Sequence, residues 1–152
     1  MNVSIIQAGV EHVLLVAPLF DRYRQFYRQP PDPAGTAAFL RERLSRQHSV
    51  VFVAVDAAAP AVALGFVQLY PTFSSIRMKP VLILNDLYVA EEARRAGVAR
   101  RLMNAALEHA RATGAVRLEL STAKDNVSAK ALYLDLGYEI DRDYDHLQLT
   151  VS

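Results

Sequence analysis

The chain has 152 residues, of which 52% are apolar and 22% are charged, a composition typical of one folded globular domain. It contains no cysteine, which excludes a thiolate nucleophile, a redox disulfide and a cysteine-ligated metal site. Seventeen basic residues against sixteen acidic ones give a net charge of +1, too small for a protein built to bind duplex nucleic acid. We therefore expect a single domain over residues 1–152 and no nucleic-acid partner.

The N-terminal residues lack the basic start and apolar stretch of a signal peptide. No apolar run approaches the roughly 20 residues that a helix needs to span a bilayer. These features predict a cytoplasmic protein with no membrane partner. The four histidines follow no metal-binding spacing, so no metal is expected at His12, His48, His109 or His146.

Hydrophobic periodicity predicts the elements of the N-terminal half. Apolar residues at three- and four-residue spacings indicate a helix over residues 11–28, and Asp32 followed by a proline starts a second helix that ends near residue 46. β-branched runs predict strands over 3–7, 48–56 and 62–70. Gly65, inside the third of these strands, indicates a bulge or a close backbone approach.

The C-terminal half continues with a polar loop over 71–80 and an apolar strand over 81–89. A helix over 97–113 ends at Gly114, a strand covers 116–121, and a short helix over 128–136 ends at Gly137. Two last strands are predicted within 138–151. The order β-α-α-β-β-β-α-β-α-β-β indicates an α/β (α+β) fold, with helices flanking a mixed, mostly antiparallel sheet that contains one parallel pair.

Chemistry is most strongly indicated where the strand over 81–89 leads into the helix over 97–113. Small residues surround the helix start at Gly97, and several arginines flank it. Free amides and the positive end of the helix dipole make such a turn a binding site for phosphate. The turn lacks the glycine and lysine pattern of a P-loop and the three glycines of a dinucleotide fingerprint. The alternative is a solvated basic helix start with no ligand.

Two motifs in this region resemble those of the GCN5-related N-acetyltransferases, the GNAT family. The first is Arg94-Arg95-Ala96-Gly97-Val98-Ala99, which matches the family's [QR]-x-x-G-x-[GA]. The second, from Asn126 to Tyr138, is similar to N-x-x-A-x-x-x-Y-x-x-x-G-[FY]. The similarity extends over residues 81–140 and implies a GNAT-like fold that uses acetyl-coenzyme A (acetyl-CoA) as cosubstrate.

The resemblance also implies which residues hold acetyl-CoA. Main-chain groups of the strand would contact the pantetheine arm where two parallel strands splay apart, and amides of the helix start would bind the pyrophosphate, with arginine side chains adding charge-assisted bonds. The implied cofactor-binding residues are Leu87, Tyr88, Val89, Arg94, Arg95, Ala96, Gly97, Val98, Ala99, Arg100, Asn126 and Tyr133.

The reaction requires a proton acceptor and a proton donor. An amine arrives as an ammonium and must lose a proton before it attacks the thioester, for which Asp86 is the candidate base, directly or through water. Polyamine acetyltransferases of the family carry Glu-Asp where this chain has Asn85-Asp86, so the glutamate is replaced. Asp86 is alternatively a structural acceptor, and Glu119 is a second candidate base that alternatively pairs with Arg117. The resemblance implies that Tyr133 protonates the leaving thiolate.

The acceptor is a small-molecule amine or a peptide that the sequence does not identify further. The resemblance implies that the first two helices cover the acceptor cleft, so that Tyr23, Phe26 or Tyr27, with Tyr70 or Phe73, contacts the substrate beside Asn85. Competing interpretations are a non-catalytic acyl-CoA sensor and a general nucleotide-binding protein. Many members of the family form homodimers, and residues 147–151 could pair at a sheet edge.

Overall fold

The computed structural model describes residues 1–152 and confirms the predicted fold class, a mixed, mostly antiparallel sheet with helices. The chain forms two compact units, Met1–Leu120 and Ser121–Ser152. None of its helices combines the length and apolarity that a membrane crossing requires.

The first unit contains the sheet and three helices. Its elements are β1 (Val3–Ala8), α1 (Val13–Phe26), α2 (Pro33–Ser45), β2 (Val50–Asp56), β3 (Ala59–Ser74), β4 (Lys79–Val89), α3 (Val98–Thr113) and β5 (Leu118–Glu119). Single 3₁₀ turns, Val10–His12 and Glu91–Ala93, precede α1 and follow β4. The second unit contains α4 (Val127–Asp135).

The strands lie in sequence order, β1-β2-β3-β4-β5. The first four are antiparallel neighbours, and β5 is parallel to β4, as the strand-helix-strand pattern predicted. The parallel ladder is short, because only Leu82 and Ile83 of β4 have partners on β5. The rest of β4, from Leu84 to Val89, extends beyond the last paired residue.

The two faces of the sheet are covered by different helices, and β3 shows which residues face which. The ring of Phe66 lies 5.5 Å from that of Phe20 on α1, between ring centroids. A Cβ built on Gly65, one residue earlier, would lie 3.1 Å from side-chain atoms of Val98 and Leu102 on α3. Because successive strand residues alternate, Phe66, Gln68 and Tyr70 face α1, whereas Gly65, Val67 and Leu69 face α3.

Gly65 also sits at the predicted bulge. The register of β2 with β3 shifts from Ala54 opposite Gly65 to Val55 opposite Ala63, which leaves Leu64 as the extra residue. Both expectations for Gly65, a bulge and a close approach, are therefore confirmed.

One buried carboxylate joins α1 to α2. Asp21 of α1 accepts hydrogen bonds from the main-chain N–H of Asp32 at 3.0 Å and from the hydroxyl of Thr36 at 3.1 Å. Asp32 in turn caps α2, since its side chain accepts a hydrogen bond from the N–H of Gly35. The N-terminus of α2 is thus fixed to the middle of α1.

The predicted loop over residues 71–80 is wrong in its extent. β3 runs to Ser74 and β4 starts at Lys79, so only residues 75–78 form the turn. Pro71 is tolerated because β3 has no β2 partner beyond Leu69, so on that side its missing N–H breaks no ladder.

The two strands predicted within 138–151 are also absent, and β5 is shorter than expected. Residues 139–152 form no strand. The carboxylate of Asp141 instead accepts hydrogen bonds from the N–H groups of Asp143 and Tyr144 and makes a turn. Leu147, Leu149 and Val151 do alternate, but they are exposed, and an extended segment needs a partner strand for stability.

Candidate functional site

The turn before α3 has the conformation of an anion cradle. Gly97 precedes the helix with φ of 74°, and Arg95 also has a positive φ, 65°. No side chain caps the helix, and the first helical hydrogen bond runs from the N–H of Arg101 to the carbonyl of Gly97. The amides of the first turn therefore face outward with the positive end of the helix dipole, as phosphate binding requires.

Two arginines near this turn are held by the chain itself. Arg94 donates from Nε to the carbonyl oxygen of Val89 at 3.1 Å, and its guanidinium lies 5.6 Å from the ring centroid of Tyr88. Arg101 donates to the carbonyl oxygen of Val3. Arg94 thus links the end of β4 to the cradle, and the structure gives Arg101 a role that ties α3 to β1.

The C-terminal part of β4 continues beyond the end of its ladder with β5. Leu87, Tyr88 and Val89 continue β4 after its ladder with β5 has ended at Ile83. The edge of β4 that would face β5 is therefore without a strand partner along these residues. An extended ligand with amide groups could hydrogen-bond to such an edge as an added strand does.

A buried polar pair lies in the middle of the sheet, on the face covered by α1. Gln68 and Asp86 are directly opposite each other in the β3–β4 register. Gln68 is 0% exposed and Asp86 is 6% exposed. Gln68 donates from Nε2 to Oδ2 of Asp86 at 2.8 Å, and Asn85 donates from Nδ2 to Oδ1 at 3.1 Å.

Two tyrosines, Tyr23 and Tyr70, lie near the Asp86 carboxylate. Burial raises the pKa of Tyr23 well above its ordinary range, and the charge of Asp86 and a hydrogen bond between the two side chains raise it further. Burial, and then the charge of Asp86, raise the pKa of Tyr70 to about 12, against a smaller opposing effect of Arg43. Both phenols therefore stay protonated at neutral pH and can donate hydrogen bonds.

A bulge in β4 decides the direction of Asp86. The register passes from Gln68 opposite Asp86 to Leu69 opposite Leu84, which leaves Asn85 as the extra residue. Asn85 is exposed, yet its amide still reaches the Asp86 carboxylate. Simple alternation places Asn85 and Asp86 on opposite faces, but the bulge brings their polar groups together.

The aromatic residues predicted for the acceptor cleft cluster around Tyr23. Its ring centroid lies 5.1 Å from that of Tyr27 and 5.7 Å from that of Tyr88, and Phe26 lies 6.1 Å from Tyr88. Tyr27 and Phe26 are largely exposed. Phe73 is exposed near the tip of the β3–β4 hairpin and has no ring contact with this cluster.

The alternative base, Glu119, makes the surface pair that the sequence offered as its other role. Its carboxylate accepts a hydrogen bond from Nε of Arg117 at 2.6 Å, and both side chains are about half exposed. No group of three or more His, Cys, Asp or Glu side chains is placed to hold a metal ion.

Tyr133 and Asn126 belong to the second unit. Tyr133 is 9% exposed, and its ring centroid lies 6.1 Å from that of Tyr138. Burial, and then the proximity of Tyr133, raise the pKa of Tyr138 to about 12. Asn126 precedes α4, and its carbonyl accepts a hydrogen bond from the N–H of Lys130, although its side chain makes no capping bond.

The first unit thus brings together Asp86, Asn85, Tyr23, Tyr27 and Tyr88. Sequence reasoning missed Gln68. It was detectable as a polar side chain placed between two apolar neighbours, Val67 and Leu69. Its contact with Asp86 depends on the pairing of two strands and leaves no local pattern.

Comparison with known proteins identifies the family and the fold. Residues 16–138 match the model of the Acetyltransferase (GNAT) family. The uncharacterized N-acetyltransferase YhfO of Bacillus subtilis is 44% identical over 97% of this chain and 97% of its own length. The crystal structure of a probable acetyltransferase is 45% identical, covers 98% of both chains and superposes with a TM-score of 0.93.

A more distant structure shares the fold and contains a ligand. The aminoglycoside N-acetyltransferase AAC(6')-Iy, in complex with CoA, is 20% identical and covers 99% of this chain and 96% of its own. Its TM-score is 0.79, which shows the common fold.

Proposed function

The chain belongs to the GNAT family of acetyltransferases and is an N-acetyltransferase, and on this premise we propose that it transfers an acetyl group from acetyl-CoA directly to a primary amine. The family supplies the reaction class. We propose the primary amine as acceptor and assign the residues that bind it. This assignment rests on the buried carboxylate of Asp86 and on the neighbouring Tyr23 and Tyr70.

The residues at the start of α3 fit the cosubstrate. Backbone amides of residues 94–99, with Arg100, would hold the pyrophosphate, since Gly97 has a positive φ and a clear space beside it. The unpaired edge at Leu87, Tyr88 and Val89 would hold the pantetheine arm, with Asn126 as a further contact. Acetyl-CoA supplies the thioester that is the acyl donor.

Asp86 is the proposed proton acceptor. It is a carboxylate oriented by hydrogen bonds from the side-chain amides of Gln68 and Asn85, and burial together with its charge raises the pKa of the neighbouring Tyr23 and Tyr70. An ammonium group held there would transfer one proton to Asp86 and become a neutral amine with a lone pair. That lone pair is what attacks the thioester carbon.

Tyr133 is the proposed proton donor. Its phenol would give a proton to the departing thiolate, so that free thiol is released and no covalent enzyme intermediate forms. A main-chain N–H near Tyr88 or Val89 would donate to the oxygen that becomes negative during attack, a contribution of about 2.7 to 4 kcal/mol to the barrier in other enzymes.

The first test is an acceptor screen with the purified protein and acetyl-CoA, read by release of free thiol. The panel contains amino acids, a diamine, an aminoglycoside and a peptide with a free N-terminus. We expect turnover with at least one primary amine. Calorimetry with acetyl-CoA and with ATP tests the nucleotide-binding alternative, since a GNAT enzyme should prefer the ligand that carries pantetheine.

Two variants separate the enzyme from a non-catalytic sensor. Tyr133→Phe and Asp86→Ala should each reduce turnover by about 10²- to 10⁴-fold, the usual contribution of a general acid or base. Their affinity for acetyl-CoA should stay within a few-fold of wild type. Binding of acetyl-CoA without thiol release from any amine would favour the sensor and contradict the proposal.

A further inference from the structure

Gln68 carries a buried oxygen atom that the chain does not satisfy. Its Oε1 is inaccessible to solvent and has no hydrogen-bond partner. A buried polar atom without a partner typically costs about 1 to 3 kcal/mol. Such an atom beside a proposed catalytic carboxylate calls for a functional explanation.

The orientation of the Gln68 amide is fixed by its neighbour. An ionised carboxylate only accepts hydrogen bonds, so the group of Gln68 that lies 2.8 Å from Oδ2 of Asp86 must be the NH₂. The carbonyl oxygen is therefore the atom left over, and turning the amide over would place two acceptors against each other.

Asp86 itself has room for further donors. A carboxylate offers about four lone-pair sites, and two side-chain amides of the chain donate to this one. They belong to Gln68 and Asn85. Two neighbouring residues on the face covered by α1 thus each have an unused acceptor.

We propose that Gln68 is a specificity-determining residue, whose Oε1 acts together with Asp86 to form a two-acceptor receptor for a primary amine. The proposal deepens, and rests on, the acetyl transfer proposed above. Because Oε1 is enclosed by the chain, the side chains beside Asp86 must move aside as the amine enters. Its ammonium then donates one N–H to Asp86 and a second to Oε1 of Gln68, which satisfies both acceptors at once.

The receptor remains useful after proton transfer. When the ammonium gives its proton to Asp86, the nitrogen keeps two N–H bonds and gains a lone pair directed at the new carboxylic acid. Rotation about the C–N bond returns one N–H to an oxygen of Asp86 and the other to Oε1 of Gln68. The lone pair is then the one position left, and it forms the new bond to the acetyl carbon as the C–S bond breaks. The departing thiolate takes the proton of Tyr133, the nitrogen passes one of its two remaining protons through water to the tyrosinate, and Asp86 returns its proton to solvent.

This arrangement selects primary amines over secondary ones. An N-methyl amine has a single N–H once it is neutral, so the reactive orientation would place the methyl group against Asp86 or Gln68. One buried acceptor would stay unsatisfied, and discrimination by an unpaired polar group in a site is large.

The test compares the best primary amine of the screen with its N-methyl derivative. For wild type we expect kcat/KM to be roughly 100-fold higher for the primary amine. Gln68→Met, which keeps the length and removes the polar atoms, should lower kcat/KM for the primary amine about 10- to 100-fold, as the loss of a hydrogen bond to a charged group does. It should also reduce the preference to below about tenfold, with KM for acetyl-CoA unchanged.

A merely structural role of Gln68 gives a different result. Loss of packing or of the Asp86 contact would slow both amines equally and leave the preference at its wild-type value, which would overturn the proposal. Equal kcat/KM for the two amines in wild type would also overturn it and needs no variant, so the test does not depend on folding of Gln68→Met.

A binding experiment separates this inference from the proposed reaction. Wild type and Gln68→Met are titrated with n-butylammonium chloride and followed by NMR, with the side-chain amide of Gln68 as the reporter in wild type. A shift of that amide in wild type, and at least tenfold weaker binding to the variant, support the receptor. Turnover of a primary amine with no shift at Gln68 would refute the receptor alone, whereas absence of any turnover would refute the reaction.

Discussion

The main chain of Tyr88 runs so close to Gly65 that a Cβ built on Gly65 would lie 3.0 Å from the Tyr88 carbonyl oxygen. The neighbouring atom is backbone and cannot swing aside as a side chain does. The absence of a side chain at position 65 therefore sets how closely β4 approaches β3, at the residues proposed to hold the pantetheine arm.

Gly65→Ala should push β4 away from β3 at Tyr88. The added methyl group also meets Val98 and Leu102, so we expect a loss of about 1 to 3 kcal/mol in the free energy of unfolding, as for other overpacked sites. Affinity for CoA should fall as well. Denaturation and calorimetry measure the two effects, and Val62→Ala, at an exposed position of β3, is the control. Unchanged CoA affinity in a destabilised variant would count against the role of Tyr88.

The two glycines at the ends of α3 form a matched pair of variants. Gly97 and Gly114 have φ of 74° and 75°, and nothing lies within 4 Å of a Cβ built on either. Replacement by Ala should cost about 1 kcal/mol of stability at each position, because of the left-handed backbone. Only Gly97→Ala should also weaken CoA binding, by about tenfold. An equal loss of affinity in both variants would show that the effect comes from helix stability and not from the cradle.

The choice of base is testable with isosteric variants. Asp86→Asn should lower kcat by about 10²-fold or more, because a general base typically contributes at least that factor to the rate. Glu119→Gln should leave kcat within about twofold of wild type, because it removes only an exposed ion pair. Steady-state kinetics with the amine found in the screen gives both values. A larger effect of Glu119→Gln than of Asp86→Asn would reverse the assignment.

The hydrogen bonds of Asp21 that hold α1 to α2 should weaken at acid pH and lower the stability of the protein. Hydrogen bonding, first from the N–H of Asp32, holds the pKa of Asp21 below its usual value of 3.8. A carboxyl with a lowered pKa in the folded state stabilises the protein above the unfolded pKa, and this contribution is lost as pH falls through the folded pKa. Asp21→Asn should lower the melting temperature at pH 7 and flatten the fall in stability below about pH 4. Asp145→Asn, at an exposed site, should do neither.

Local patterns predicted most of the fold because each of those elements carries its own signal. Periodic apolar residues located α1 and α3, and the glycines at 97 and 114 marked the ends of α3. The loop predicted over 71–80 was too long because its proline and its polar residues indicate a loop, whereas pairing with β4 keeps most of the segment extended. The prediction of two last strands was wrong for the opposite reason. Their residues alternate as in a strand, but no other strand of the chain pairs with them.

The candidate site also contains some features that local sequence predicts and others that it does not. The turn at Gly97 was predicted from residues that are adjacent in the sequence, and α3 begins directly after this glycine in the structure. The contact between Gln68 and Asp86 joins residues 18 positions apart, and the bulge at Asn85 that aims Asp86 exists only in the register of two strands. Such features depend on tertiary pairing, which a single sequence does not encode in any short window.

Because Asn85 is an extra residue, the parts of β4 before and after it direct their side chains to faces that simple alternation would not give them. Leu84 lies opposite Leu69 and belongs to the layer under α3, while Asp86, only two positions later, opens towards α1. If Asn85 paired in the ladder instead of standing as the extra residue, Asp86 and every later residue of β4 would turn to the other face of the sheet. The bulge, and with it the amide at position 85 that reaches the carboxylate, should therefore persist in natural variants of this strand.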